Sequence, residues 1–345
     1  MSNLLKVLIA TTILQQNALY GIDGMSVMIA RSSSLGDALF SGLLFRDNMP
    51  AMNRLNALVE IIDRHTPEDG TYPSTLPGVT LIRASSPTMP MPVIYTPTLC
   101  LVAQGTKEAR LGETTYRYNP ENYLIASVEL PVMGSVIEAT EERPYLCLQL
   151  DLDMAELSEL TICYPDPLTE AQDPPTGIML NKTTPELLDA AVRFASLLDT
   201  PHDIDALAPL TLREILYRLL TGPQGNIIRH MAQAESRLNQ IARAIIWIRT
   251  HFREACRIEQ AASVAGMSRS TFHHHFKAVT TMSPIAFRTH LRMQEARKLM
   301  VSDAVDAASA GFHVGYESPS QFSRDYVRIF GVSPARHASQ LRKLS

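Results

Sequence analysis

The chain has 345 residues, 46% of them hydrophobic and 19% charged, with a formal net charge of −4. This is the composition of an ordinary globular protein and excludes a disordered or low-complexity chain; the length has room for two domains and an appendage. The charge is unevenly spread: residues 236–345 carry 16 Lys+Arg against 7 Asp+Glu, whereas residues 1–235 carry 15 against 28. A basic last third on an acidic body points to a nucleic-acid module joined to something else. Cys100, Cys147, Cys163 and Cys256 have no CxxC spacing and form no short secreted framework, which fits a reducing cytoplasm.

In chain order, the first segment is an apolar stub, LLKVLIATTIL, about half the run a bilayer span needs and without a small-residue cleavage site. With GIDGMSVMIARSSSLGDALFSG behind it, the stretch 1–51 reads as a weakly ordered extension or a mis-annotated start, Met49 and Met52 being alternative first residues. From Met52, NRLNALVEIIDRH places Leu55, Leu58, Val59 and Ile62 on one side of a helix. Between Val79 and Leu152 the period changes to short β-rich runs (VTLIR, LCLVAQ, KEARL, TTYRY, NYLIAS, SVIEA, YLCLQLDL), with a hairpin turn at Leu111-Gly112-Glu113-Thr114. Roughly seven or eight such strands imply a sandwich or barrel. A Pro- and Asp-rich stretch around 165–176 closes the unit. Helices are expected next: TPELLDAAVRFASLL, capped by Thr184 with Pro185 in its first turn, then APLTLREILYRLLTG, then a long one from about Asn226 to Glu254. Leu212, Ile215, Leu216, Leu219 and Leu220 follow helical spacing, and such a face serves either as a dimerisation surface or as core.

The last third contains one unit written twice. GMSRSTFHHHFKAVTTMSPIAFRTHLR from Gly266 and GYESPSQFSRDYVRIFGVSPARHASQLR from Gly315 match at an offset of 50 through Phe272 and Phe322, Phe276 and Tyr326, Ser283-Pro284 and Ser333-Pro334, and Leu291-Arg292 and Leu341-Arg342. Each copy has the form of a helix-turn-helix, whose second helix presents polar side chains to the DNA major groove. In the first copy Ile258–Ala265 is the supporting helix, Ala262 the small residue at the helix crossing, Gly266 the turn and Ser268 the cap. Phe272 and Phe276 point inward, which leaves Arg269, Ser270, His273, His274 and Lys277 facing out. In the second copy Ser318 caps, Pro319 opens the helix and Gln321 completes a capping box. There Phe322 and Tyr326 face inward, Ser320, Ser323, Arg324 and Arg328 outward, and Gln321 lies on the flank.

Arg and Lys at such positions reach phosphates or guanine, while Ser and neutral His reach base edges. The helix that starts at Ser283-Pro284 and runs through Met300 spans about 24 Å, a rigid spacer able to set two reading helices into successive major grooves. The run His273-His274-His275 cannot hold one metal ion, because adjacent helical residues diverge by about 100°.

These residues resemble the AraC/XylS family of bacterial transcription regulators over about 236–342. AASVAGMSRSTFHHHFKAVTTMSP is similar to the family's first motif and GYESPSQFSRDYVRIFGVSP to its second, with RMQEARKLM between them. The segment from about 80 to 230, through TLCLVAQGTKEARLGETTYRYNPENYLIASVELPVMGSVIEA, PYLCLQLDLD and LTLREILYRLLTGPQG, is similar to the N-terminal domain of one AraC subgroup. The resemblance implies an α+β protein. Its parts would be a cupin-like β-barrel with flanking helices over 52–183 that binds a small-molecule effector, linker or dimerisation helices over 184–235, and an all-α DNA-binding domain of two helix-turn-helix units over 236–345. It also implies that the outward residues named above occupy major-groove positions. Two departures stand out. Gly311 replaces an Ala-like helix former, a loss of about 1 kcal/mol in helix propensity, and Thr289 stands where a basic residue is common, which leaves one phosphate contact open.

The expected function is sequence-specific binding of double-stranded DNA by a cytoplasmic homodimer under effector control. RNA polymerase is carried as a further partner; no cofactor, metal or membrane enters. A cupin-type metalloenzyme is the alternative, but it needs clustered His with a carboxylate, and no His lies between Val79 and Leu152, His65 preceding the unit and His202 following it. No phosphate-cradling glycine motif or nucleophile elbow occurs either. A purely architectural DNA binder would have no use for the β unit, whose interior is a natural ligand cavity. Cys100 and Cys147 lie in its strand-like runs and read either as core thiols or as sensors of an electrophile or oxidant.

Overall fold

The computed structural model describes residues 51–165, 176–223, 225–233, 236–254, 258–303 and 305–341. The expectation for 1–51 therefore falls, apart from Ala51, outside the described residues. Helix α1 (Ala51–Arg64) forms on the predicted apolar spacing, with Leu58 and Ile62 fully buried. Ten strands follow: β1 (Gly70–Pro73), β2 (Val79–Ala84), β3 (Met91–Tyr95), β4 (Thr98–Gln104), β5 (Thr106–Leu111), β6 (Thr114–Tyr118), β7 (Asn122–Ala126), β8 (Leu130–Glu138), β9 (Tyr145–Asp151) and β10 (Ile178–Lys182). They make a six-stranded sheet, β1-β2-β9-β4-β7-β10, and a four-stranded sheet, β3-β8-β5-β6. The expected hairpin turn is present: Leu111 pairs with Thr114 across Gly112-Glu113, and Gly112 takes a φ of +60° that suits a residue without Cβ.

The three strands not foreseen, β1, β3 and β10, all lie at sheet edges. An edge strand tolerates Pro73 and Pro92, because an outward-facing backbone position needs no ladder N–H. Strand β10 also corrects the closing point of the unit: it lies past the Pro- and Asp-rich stretch and pairs with β7 from Ile178 opposite Ala126 to Lys182 opposite Asn122.

Among the helices, α2 (Met154–Cys163) was not expected; Asp153 caps it by accepting from the N–H groups of Ala155 and Glu156. Helix α3 (Pro185–Ser196) starts as predicted, with the Thr184 hydroxyl accepting from Leu187 N. Helix α4 (Ile204–Thr221) begins earlier than predicted, because Pro209 is accommodated in its second turn. The single long helix expected over 226–254 is in fact two, α5 (Gly225–Ala232) and α6 (Arg237–His251). Ser236 separates them: its hydroxyl accepts from Asn239 N at 3.1 Å and donates to His230 O. Ile215, Leu216, Leu219 and Leu220 are buried within the chain, so that face of α4 is core and not a dimerisation surface.

The last third is helical throughout its described residues: α7 (Ile258–Val264), α8 (Arg269–Thr280), α9 (Pro284–Ser302), α10 (Ala307–His313), α11 (Pro319–Phe330) and α12 (Pro334–Leu341). Two apolar cores form. One runs from the β-sheets into the first helical unit and includes Phe272, Phe276, Val279, Phe287 and Leu291. The other belongs to the second unit and is built on Met293, Met300, Val314, Tyr316, Phe322 and Tyr326. The first unit is thus packed onto the β domain, while the second has its own core across α9.

Candidate nucleic-acid interface

Each unit positions its reading helix by the same local chemistry. The Ser268 hydroxyl accepts from Thr271 N at 3.3 Å, and that of Ser318 from Gln321 N at 3.4 Å, so both helices begin on a serine cap. Phe272 and Phe276 stack inward with ring centres 5.2 Å apart, as do Phe322 and Tyr326 at 5.6 Å. The turn before each reading helix needs a left-handed residue, and Gly315, at φ +86°, has a second constraint: an added Cβ would lie 2.1 Å from Arg253 O. Gly311 is the counterpart of Ala262 at the helix crossing. A Cβ there would lie 2.9 Å from Phe322 Cγ, so the residue read as a costly departure is what lets α10 and α11 approach so closely.

The polar faces emerge largely where expected. Arg269, Ser270, His274 and Lys277 are exposed on α8, and Ser320, Gln321, Arg324 and Arg328 on α11. His273 and Ser323 are half-buried, and His273 Nε2 is shielded from solvent with no hydrogen-bond partner among the described residues. Arg269 pairs with Glu259 at 3.0 Å and Arg328 with Asp325 at 2.9 Å, both at the surface. Helix α9, whose 19 residues span about 28 Å, joins the two units. The Thr289 hydroxyl is spent on its own helix, donating to Ile285 O at 3.0 Å.

Two groups were not singled out from sequence. Arg110 and His290 join Lys277 and Arg328 around a cleft of about 640 Å³ between the β5–β6 hairpin and the C-terminal ends of both reading helices. Burial, followed by the facing charges of Arg328 and Arg110, holds the His290 imidazole below its ordinary range. Arg292 acts as an internal clamp: Nε donates to Phe252 O at 2.6 Å and Nη2 to Glu254 O at 3.0 Å, just past the end of α6, and its guanidinium lies over the Tyr316 ring at 5.5 Å. The repeat pattern marked Arg292 as a matched position, but nothing in the sequence brings β5 to α9.

The β domain grips the first unit directly. Gly177 N donates to Val279 O at 2.6 Å, Thr281 Oγ1 donates to Leu111 O at 3.0 Å, and Arg249 pairs with Glu129 at 2.7 Å. Thr281 holds a φ of +60° where its repeat counterpart is Gly331 at +72°. A β-branched residue is strained in that region, and here its side chain is the one that reaches the other domain.

Comparison with known proteins fits this architecture. Residues 75–227 match the model of the AraC-type transcriptional regulator N-terminus, and residues 261–340 that of a helix-turn-helix domain. The transcriptional regulator ExsA of Pseudomonas aeruginosa is 24% identical over 230 residues, covering 65% of this chain and 82% of ExsA. The activator RclR of Escherichia coli is 34% identical over 88 residues, covering 26% of this chain and 31% of RclR, so the chain spans about a third of that relative. Among solved structures, an apo ToxT variant from Vibrio cholerae aligns over 78% of this chain and all of its own, at 8% identity and a TM-score of 0.49. With an AraC-type N-terminal domain followed by a duplicated helix-turn-helix, the chain belongs to the AraC family of DNA-binding transcription regulators.

Proposed function

We propose that this regulator binds double-stranded operator DNA sequence-specifically as a cytoplasmic homodimer, governed by a small-molecule effector held in a cupin-like β domain over 52–183. The stretch 184–235 links the domains, 236–345 reads DNA, and RNA polymerase is a further partner when the protein activates. The observation that carries this reading is the pair of polar faces on α8 and α11, each mostly exposed and each set on its own serine-capped helix. Arg269, Ser270, His273, His274 and Lys277 form one; Ser320, Gln321, Ser323, Arg324 and Arg328 form the other. Helix α9 joins the two units as a rigid connector, so that both helices can present to one side of the duplex. On binding, Arg269 and Arg328 would exchange Glu259 and Asp325 for phosphates, while Lys277 and Arg324 have no such ion pair among the described residues. Effector control is supported by the apolar core that runs unbroken from the sheets to Phe276 and Val279, since a ligand shifts an equilibrium only through a differential contact with the states it couples. The β domain serves as a binding module and not as an enzyme, its strands offering no His between Val79 and Leu152.

The test is a pair of substitutions measured by operator titration across salt concentrations. Arg324→Ala should cost about 1–3 kcal/mol and relax specificity at one base position. Lys277→Ala should weaken all sites alike and lower the salt slope by about one. Unchanged affinity in both would remove these faces from the interface.

A further inference from the structure

The interior of the β domain gathers reactive side chains for which DNA reading has no use. Cys100 on β4 and Cys147 on β9 are both buried, and the strands pair with Cys100 opposite Gln149 and Val102 opposite Cys147. Opposed residues share a face of a sheet, so the two thiols are diagonal neighbours on one face. Around them stand Tyr95, Lys107, Tyr118 and Tyr145. The Tyr95 and Tyr118 hydroxyls are 2.9 Å apart, and the Lys107 ammonium lies 5.8 Å from the centre of the Tyr145 ring. Burial works against the Lys107 charge, and the neighbouring Tyr95, Cys147 and Cys100 groups favour it. Lys107 is the least enclosed of the six side chains. A hydrogen bond from the Cys100 thiol, helped by Tyr145 and the Lys107 charge, lowers the Cys147 thiol below its ordinary range against the effect of burial; Cys100 is correspondingly raised.

We propose that Cys100 and Cys147 form an oxidisable dithiol within the β domain, with Cys147 the attacking thiolate, Cys100 the resolving thiol and hydrogen peroxide the oxidant. The thiols are 2% and 1% exposed, which keeps out bulky electrophiles and leaves a small peroxide as the oxidant to test. A second thiol diagonal to the first on the same sheet face is placed to resolve a sulfenic acid. The Cys147 thiolate attacks one peroxide oxygen, the O–O bond breaks, and Cys147 becomes a sulfenic acid. The hydroxide released takes the Cys100 proton and leaves as water. The Cys100 sulfur then displaces hydroxide from the sulfenic sulfur, forming the S–S bond; this second hydroxide takes up the proton that Cys147 lost on ionising. The peroxide gains two electrons and the thiol pair loses two.

Diagonal neighbours sit about 7–8 Å apart at Cα, beyond the roughly 6.8 Å that an unstrained disulfide spans. Closure must therefore slide β4 along β9, and β4 already carries a register shift there, between Val102 and Gln104. A bond closed under such strain is readily reduced, as a reversible switch requires.

The experiment treats the full-length protein with hydrogen peroxide and reads intact mass and linked peptides, independently of DNA binding. Loss of the mass of two hydrogens, a Cys100–Cys147 cross-link and reversal by dithiothreitol are expected. Cys100→Ser should stop at a Cys147 sulfenic acid captured by dimedone, and Cys147→Ser should give no cross-link. Lys107→Met, folded by circular dichroism, should slow the reaction about tenfold through a smaller thiolate fraction, and Lys107→Arg should restore it. Oxidation confined to the exposed Cys163, with Cys100 and Cys147 still alkylated after denaturation, would overturn the proposal. An unchanged rate in folded Lys107→Met would overturn it as well.

Discussion

Replacing Gly311 with alanine sets two effects of opposite sign against each other. Helix propensity alone favours the alanine by about 1 kcal/mol. The added methyl, however, would lie 2.9 Å from Phe322 Cγ, 3.1 Å from Cδ1 and 3.3 Å from Cβ, all at the stem of the side chain and not at a yielding end. Phe322 is 1% exposed, with the rings of Tyr316 and Tyr326 each 5.6 Å away. Overpacking of this kind costs about 1–3 kcal/mol, and contacts this short belong to the upper half of that range. The net expectation is a protein roughly 1 kcal/mol less stable than the parent. Urea denaturation followed by helical circular dichroism measures it, with fluorescence of the single tryptophan, Trp247 on α6, as a second probe of the C-terminal helices. In a double-mutant cycle with Phe322→Leu the penalty of the alanine should shrink by about 1 kcal/mol. A Gly311→Ala protein more stable than its parent, or one strictly additive with Phe322→Leu, would refute the close crossing of α10 and α11.

Two further outcomes follow from the same geometry. Leu216 is fully buried, so Leu216→Glu places an unpaired charge in the core and should abolish folding in circular dichroism and gel filtration; a folded monomer would restore that face as an interface. The His290 imidazole is held below its ordinary range in the fold, by burial first and then by Arg328 and Arg110, so the unfolded chain binds more protons around the ordinary imidazole value of 6.5. Stability should therefore fall as pH drops through that value, and His290→Gln should flatten this part of the curve; an identical slope in the variant would contradict the assignment.

The sequence disclosed the duplicated unit almost completely, because a helix-turn-helix is a local object. Its serine caps, its glycine turns and the inward Phe272, Phe276, Phe322 and Tyr326 all lie within one stretch of chain. The central strands were also legible, as buried apolar runs such as LCLVAQ and YLCLQLDL. Edge strands β1, β3 and β10 were not: β1 and β3 each hold a proline that only an edge position tolerates, and β10 lies beyond the Pro- and Asp-rich stretch that looked like the end of the unit. The α5–α6 break was missed because Ser236 looks like any polar residue on a helix until its hydroxyl is seen bonding to Asn239 N and His230 O. The cleft around Arg110 and His290 was out of reach for another reason: it depends on which strand meets which helix, a property of packing and not of any local pattern. Gly311 was visible, but only the position of Phe322 turns an apparent weakness in a helix into a requirement of the crossing.

The most direct measurement of the central claim is selection of bound duplexes from a random double-stranded DNA pool by the purified full-length protein. Two short conserved blocks, centred about one helical turn apart for each protomer, should be enriched. Their binding should outcompete random DNA by about a thousandfold or more at physiological salt. Arg324→Ala should erase preference within one block while leaving the other intact. Retention of DNA without any enriched sequence, or an enriched sequence indifferent to both reading faces, would contradict the account.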